Sequence, residues 1–180
     1  MISPVEQLKK EYDAIGAYLS KNKEASLYSD LNKHFQKVLI ISAGSYFEHR
    51  ITEILSDFVH AKSNGDDRIE RFLVNQAIKQ KYHTLFTWGE KDNPNKSGKN
   101  ANTFFRLFGD EFKENIEKEV KADRKLDDQI KAFIEIGHLR NILVHSNFAD
   151  FVYDQKTPDE IFALFERAKP FLDYLTEKLN

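Results

Sequence analysis

The densest run of chemistry-bearing side chains in this sequence is Gly137-His138-Leu139-Arg140-Asn141-Ile142-Leu143-Val144-His145. Arg140 and His145 enclose a polar Asn141 and a short aliphatic stretch. An imidazole with an ordinary pKa of about 6.5 gives or takes a proton near neutrality, and a guanidinium is a permanent, forked cation suited to an oxyanion. At about 100° per helical residue, Asn141 and His145 share a face and Arg140 lies at its edge. His138 falls one turn before Asn141 on the same stripe. Burying such groups beside Leu and Val without partners is costly, so the strip implies a cleft or an interface. A plainer reading stays open: a helix end with His145 near its negative dipole terminus.

A strip of this kind has to be carried by a helix, and the surrounding pattern is helical throughout. The strip's own helix is expected from about Lys125 to His145. Leu126, Ile130, Phe133, Ile134, Gly137 and Leu139 form its apolar side, and Ser146-Asn147 end it. Ser3, Pro4 and Glu6 make a capping-box start for a first helix with apolar Val5, Leu8, Tyr12, Ile15 and Leu19. Asp30 is the expected cap of a long second helix through roughly Ala61, striped by Val38, Ile41, Gly44, Phe47, Ile51, Leu55 and Phe58. A third begins near Asp66 and runs through Ile69, Phe72, Leu73, Ala77 and Ile78. Residues 89–100 read as an exposed loop, with short helical pieces around Thr103–Leu107 and Asp110–Val120. Thr157, Pro158 and Glu160 start the last helix, whose apolar residues include Ile161, Leu164, Phe165, Ala168, Phe171, Leu172 and Leu175. No internal repeat or low-complexity segment breaks the chain, and residues 1–180 are expected to form a single helical domain.

Within the second helix, Ser42-Ala43-Gly44-Ser45 is a run of small residues that costs helix propensity. Such a run lets another helix approach closely. The expectation is that the Arg140–His145 helix packs there and brings Glu48 beside the motif. Core packing with no bearing on chemistry is the competing account. Glu48 would then hold Arg140 or a histidine in place; otherwise it is a solvated carboxylate or a simple ion pair.

Composition removes several classes of function. The chain has 180 residues, a formal net charge of −2 and no cysteine, so neither a disulfide framework nor a thiolate zinc site is available. A weakly acidic chain is not a coat for nucleic acid, although it can still hold a short segment with a few local cations. Fifteen Phe and seven Tyr, with only seven Gly and four Pro, suit an aromatic helical core and disfavour an all-β fold. No glycine-rich phosphate loop, His-Glu-x-x-His pair or Gly-x-Ser-x-Gly elbow occurs, and Glu48-His49 lacks a second His four residues on. The remaining histidines, His34, His60 and His83, read as surface or hydrogen-bonded core residues. The N-terminal residues lack a secretory pattern and no stretch reaches about 18 apolar residues, so a soluble, cytoplasmic protein without a membrane partner is expected.

Arg140-Asn141-Ile142-Leu143-Val144-His145 resembles the Arg-polar-x-x-x-His motif of the HEPN superfamily. The approach, Ile134-Glu135-Ile136-Gly137-His138-Leu139, is similar to the usual lead-in to that motif. Residues 38–55 are similar to the long helix of bacterial HEPN domains, where an aromatic-acidic pair (here Phe47-Glu48) follows an aliphatic run. The subgroup it most resembles is RiboL-PSP-HEPN or its close bacterial relatives, and the resemblance spans most of residues 30–175. It implies an all-α fold: a HEPN-like helical bundle of long antiparallel helices with additional short helices.

It also implies a metal-independent endoribonuclease with no cofactor and no metal, acting as a homodimer on RNA. One chain offers one motif His and one motif Arg, and two chains about a twofold axis would supply two of each around one phosphate. On this resemblance His145 is general acid or base and Arg140 binds the scissile phosphate. Asn141 orients His145 or contacts that phosphate, and Glu48 supports the arrangement. Bacterial defence or a toxin role, with a regulatory or antitoxin protein as partner, is the implied setting. Some toxin-type relatives carry a Tyr two residues after the motif His; here Asn147 stands there, which removes any argument for a Tyr-modifying partner. Lys79, Lys81, Lys91, Lys96, Lys99 and Arg106 are further cations for an RNA backbone, and Tyr82 and Trp88 are candidate stacking platforms. The plainer account has the lysines solvating the loop and Trp88 anchoring its base. The competing functions are a non-catalytic module that dimerises or binds a partner protein, and a small-ligand or nucleotide-binding domain.

Overall fold

Four of the helices begin where a side chain can satisfy the free N–H groups of the first turn. The computed structural model describes residues 2–93, 95–149 and 156–180. Ser3 and Glu6 form a capping box at the head of α1 (Pro4–Lys21), and Thr157 and Glu160 form another at the head of α8 (Pro158–Leu179). Asp66 caps α3 (Asp67–Leu73) and Asp123 caps α7 (Arg124–His145), each carboxylate accepting from backbone N–H groups of the next residues. The other elements are α2 (Ala25–Lys62), a π-helical turn (Val74–Ile78), α4 (Lys79–Leu85), α5 (Asn102–Arg106) and α6 (Asp110–Ala122). Among the described residues there is no β-strand; one isolated bridge, Gly89 with Ser97, pinches the 89–100 loop. No described helix is long and apolar enough to cross a membrane.

Where tertiary packing outweighs local signals, the helices run differently from the sequence expectation. α2 starts at Ala25 rather than at Asp30, although Glu24 at its N-cap makes no side-chain bond. The extra turns are held by α1. A Cβ on Gly16 would come within 3.0 Å of the Tyr28 ring, and Tyr12 Oη donates to Asn32 Oδ1 at 2.7 Å. Asp30 sits on the surface, 3.6 Å from Lys33. The third helix does not stop near Ile78. It passes through the π-helical turn and continues as α4, so that Val74, Ile78 and Tyr82 are buried while Ile69 and Phe72 face solvent.

Contacts fix the directions of the long helices. Going up α2 from Lys37 through Gly44 to Phe47, the partners step down from Phe148 through Arg140 to Phe133, so α7 is antiparallel to α2. α1 is antiparallel to it as well. α8 returns parallel to α2, with Phe165 against Phe47 and Lys62 Nζ donating to the Asn180 carbonyl. The core between them is aromatic: Phe47 and Phe133 lie 5.3 Å apart, Phe133 and Phe171 5.2 Å. Phe86 stacks on Phe104 at 4.7 Å and meets Phe133 edge-on at 5.0 Å, which ties the 86–105 region to α7. Each such pair contributes roughly 0.5–1.5 kcal/mol beyond the area it buries. The result is an all-α helical bundle.

Candidate functional site

The site starts from the absence of a side chain. At Gly44 a Cβ would lie 2.7 Å from Arg140 Cγ and 2.9 Å from Arg140 Cβ, so only glycine lets the arginine stem rest on α2. That contact points the guanidinium one turn up α2, where Arg140 Nη2 donates to Glu48 Oε2 at 3.1 Å. Arg140 is 26% exposed and Glu48 36%, so solvent screens the pair and it contributes on the order of 1 kcal/mol or less. Its consequence is orientation rather than stability. The small-residue run and Glu48 therefore do meet the motif helix, as the sequence pattern anticipates.

Around this pair α2, α4 and α7 enclose a cleft of about 390 Å³. Glu48, Arg140, Asn141 and His145 all line it, so the four residues given roles by the family resemblance reach one place. Asn141 is half-buried. His145 is the last residue of α7 and is exposed, with Ser146 Oγ donating back to the Ile142 carbonyl at 2.7 Å as the helix ends. Beside it Val144 is 45% exposed. Lys79, Tyr82 and His83 of α4 complete the wall. Burial raises the Tyr82 hydroxyl's pKa, the Glu48 carboxylate adds to that, and Arg140 opposes it; the phenol stays neutral.

Other expectations separate. His138 does not join the strip. It is 5% exposed and lies under the 89–98 loop, in a different cleft of about 450 Å³ that also includes Glu90, Lys96 and Lys99. Burial lowers its pKa, against the opposing influence of the Asn95 backbone and the Glu135 charge. Its Nε2 has no hydrogen-bond partner among the described residues. Gly89 of the loop lies against the His138 ring, and next to His138 the Trp88 ring packs so closely on Gly137 that a Cβ there would run into it. Trp88 and Tyr82 are both buried, and Trp88 Nε1 donates to the His83 carbonyl at 3.0 Å. Neither offers a face to a base; Trp88 anchors the loop. Lys99 pairs with Glu90 at 2.9 Å and faces the His138 cleft rather than the motif.

His83 is the residue that sequence reasoning left among the scattered histidines. Carrying the third helix past Ile78 would have put Lys79, Tyr82 and His83 at helical i, i+3, i+4 spacing on one face. Among the described residues, no group of three or more His, Cys, Asp or Glu side chains is placed to hold a metal ion.

Comparison with known protein families agrees with the all-α fold. The family model described as RiboL-PSP-HEPN matches residues 6–180. No match was found among curated proteins or among solved structures. With an all-α bundle and a match over nearly its whole length, the chain belongs to the RiboL-PSP-HEPN family of the HEPN superfamily.

Proposed function

We propose that this chain, acting over residues 1–180 as one domain, is a metal-independent endoribonuclease whose active site is completed by a second copy of itself. The observation that carries the reading is that Arg140 and His145 line one open cleft, with Glu48 bonded to the guanidinium at 3.1 Å. Family membership supports an RNA-related role at the coarser level. Cleavage by the RNA's own 2′-hydroxyl requires a base for that proton, an acid for the departing 5′-oxygen and a cation for the crowded phosphate. His145, exposed at a helix end, takes the proton work; Arg140, turned by Glu48 and able to offer its remaining N–H donors, takes the phosphate. Asn141 lies between them on the same cleft and orients His145 or the phosphate.

One copy supplies a single imidazole, so acid and base come from two chains about a twofold axis. Val144 beside His145 gives that contact an apolar edge. In this reading RNA is the substrate, the setting is cytoplasmic, and a regulatory or antitoxin-type protein would act by covering the same cleft. The same exposed edge also favours a second reading, a non-catalytic module that dimerises or binds a partner protein.

Purified protein incubated with mixed RNA in EDTA, beside His145→Ala and Arg140→Ala, decides between them. The expected result is cleavage leaving 2′,3′-cyclic phosphate ends, reduced by about 10²–10⁴ in His145→Ala and comparably in Arg140→Ala. Cleavage that survives both substitutions, or that needs a divalent metal, removes the assignment. A dimer without cleavage supports the second reading, and a strict monomer at micromolar concentration removes the composite site.

A further inference from the structure

The motif cleft continues past Lys79. The same lysine lines a second, larger cleft of about 670 Å³, on the adjoining part of the groove between α2 and the arm made of α3, the π-helical turn and α4. Along α2 the groove passes Glu48, Thr52 and Ser56, one turn apart. Along the opposite wall it passes His83, Lys79, Asn75 and Arg71 in descending order. The walls run in opposite senses and bound one track. From Glu48 to Ser56 the helix rises about 12 Å. That accommodates on the order of three nucleotides at a stacked spacing of about 3.4 Å per strand.

The polar groups along this track suit a single-stranded polyanion. Arg71 and Lys79 are exposed, and among the described residues neither has an ion-pair partner. Of the carboxylates lining this cleft, Glu53 and Glu70 are paired with neighbouring side chains, while Asp57 has no partner among the described residues. Glu53 holds Arg50 at 2.7 Å and His49 at 3.2 Å, and Glu70 holds His60 at 2.7 Å. Asp57 sits at the far end, beyond Ser56. The hydroxyls of Thr52 and Ser56 donate back to the Glu48 and Thr52 carbonyls at 2.8 Å each, which leaves their oxygens able to accept from a base amine or a ribose hydroxyl. Asn75, in the π-helical turn, adds an amide that both donates and accepts. A duplex would keep its base edges paired away from these groups, whereas an unpaired strand can splay its bases toward them.

We infer that this groove is the track for the single-stranded RNA segment flanking the phosphate held at Arg140. Lys79 and Arg71 contact successive backbone phosphates, and Thr52, Ser56 and Asn75 contact bases or riboses. The inference rests on the ribonuclease reading and adds to it a direction, from the motif along α2 toward Ser56.

The test titrates uniformly 2′-O-methylated single strands of graded length, which cannot attack their own phosphates, against the whole chain. The proteins are wild type, Lys79→Gln, Arg71→Gln and Lys125→Gln, the last removing a cation at the opposite end of α7. Because all three positions are exposed, the fold is expected to persist, checked by circular dichroism. Each groove variant should bind roughly threefold to tenfold more weakly and lower the slope of log affinity against log salt by about one. Lys125→Gln should change neither. Wild-type affinity in both groove variants, with cleavage of unmodified RNA intact, overturns the track and leaves the nuclease reading standing. Wild-type protein that neither binds nor cuts RNA removes both.

Discussion

His138 and His145 stand two turns apart on one face of α7 and meet opposite fates. Over His138 the 89–98 loop closes down. The Trp88 ring packs against Gly137, Gly98 N donates to the Trp88 carbonyl at 2.6 Å, and the imidazole is buried, its Nε2 without a hydrogen-bond partner among the described residues. Over His145 nothing among the described residues closes: the helix ends and the ring is exposed. A glycine governs each place in a different way. Gly137 admits a whole aromatic ring and shuts the surface; Gly44 admits only the stem of Arg140 and leaves its head in a cleft. One device builds core and the other builds a site, so the two can be broken separately.

The largest effect is expected at the sealed end. Trp88 is 7% exposed and packs 4.9 Å from Phe86 and 5.7 Å from Phe133. Trp88→Ala should cost about 3–5 kcal/mol in chemical denaturation, the usual range for emptying such a site. Cleavage per folded molecule should fall far less than in His145→Ala, because Trp88 does not line the motif cleft and touches it only through Tyr82 and the His83 carbonyl. A loss below about 1 kcal/mol would mean that the loop is not anchored there. Gly44→Val attacks the open end. Its branched side chain would meet Arg140 Cγ and Cβ, costing about 1–3 kcal/mol as an overpacked contact. The sharper result is catalytic: displacing the guanidinium by about an ångström should lower RNA cleavage on the order of a hundredfold. Unchanged cleavage in a folded Gly44→Val protein would detach the small-residue run from the site.

The parts of this arrangement legible in the sequence are those written within a turn or two. Ser3–Glu6 and Thr157–Glu160 are capping boxes because three residues suffice to make them. The Arg140–Glu48 meeting was legible for a related reason: Ser42-Ala43-Gly44-Ser45 announces a close approach, and Glu48 stands one turn beyond it. The cover over His138 was not legible, since it depends on Trp88 finding Gly137 across a long separation. Nor was the start of α2 at Ala25, where Tyr28 on Gly16 outweighs the Asp30 cap signal. The third helix misled through its π-helical turn, which buries Val74 and Tyr82 beside the expected Ile78 and leaves Ile69 and Phe72 exposed.

Acidification should destabilise the fold through the buried His138. Burial lowers the folded-state pKa of His138 below 6.5, its ordinary value. The unfolded chain then binds the proton first, so His138 contributes stability that is complete above about pH 6.5 and is lost as pH falls toward the lower, folded value. Thermal melts over about pH 7.5 to 5 should fall on the acid side in wild type. His138→Leu should lose that dependence, and it also removes the unpartnered Nε2. An identical acid slope in the variant would assign the effect to other groups.

The smallest change in stability is expected at Glu48, and it is the most informative about the site. Glu48→Gln keeps the shape and the acceptor oxygen but removes the charge that faces Arg140. With both partners partly exposed, the melt should move by no more than about 1 kcal/mol. If Glu48 only shields a surface arginine, RNA affinity should rise, because a guanidinium released from a carboxylate binds phosphate more freely. If Glu48 aims Arg140 at the scissile phosphate, affinity should stay near wild type while single-turnover cleavage falls roughly tenfold through loss of orientation. The 3.1 Å Nη2–Oε2 bond over Gly44 supports the second outcome, since it uses one edge of the guanidinium and turns the rest toward the cleft shared with His145. A rise in affinity with cleavage unchanged would make Glu48 an ordinary ion pair and leave Gly44 alone to position the arginine.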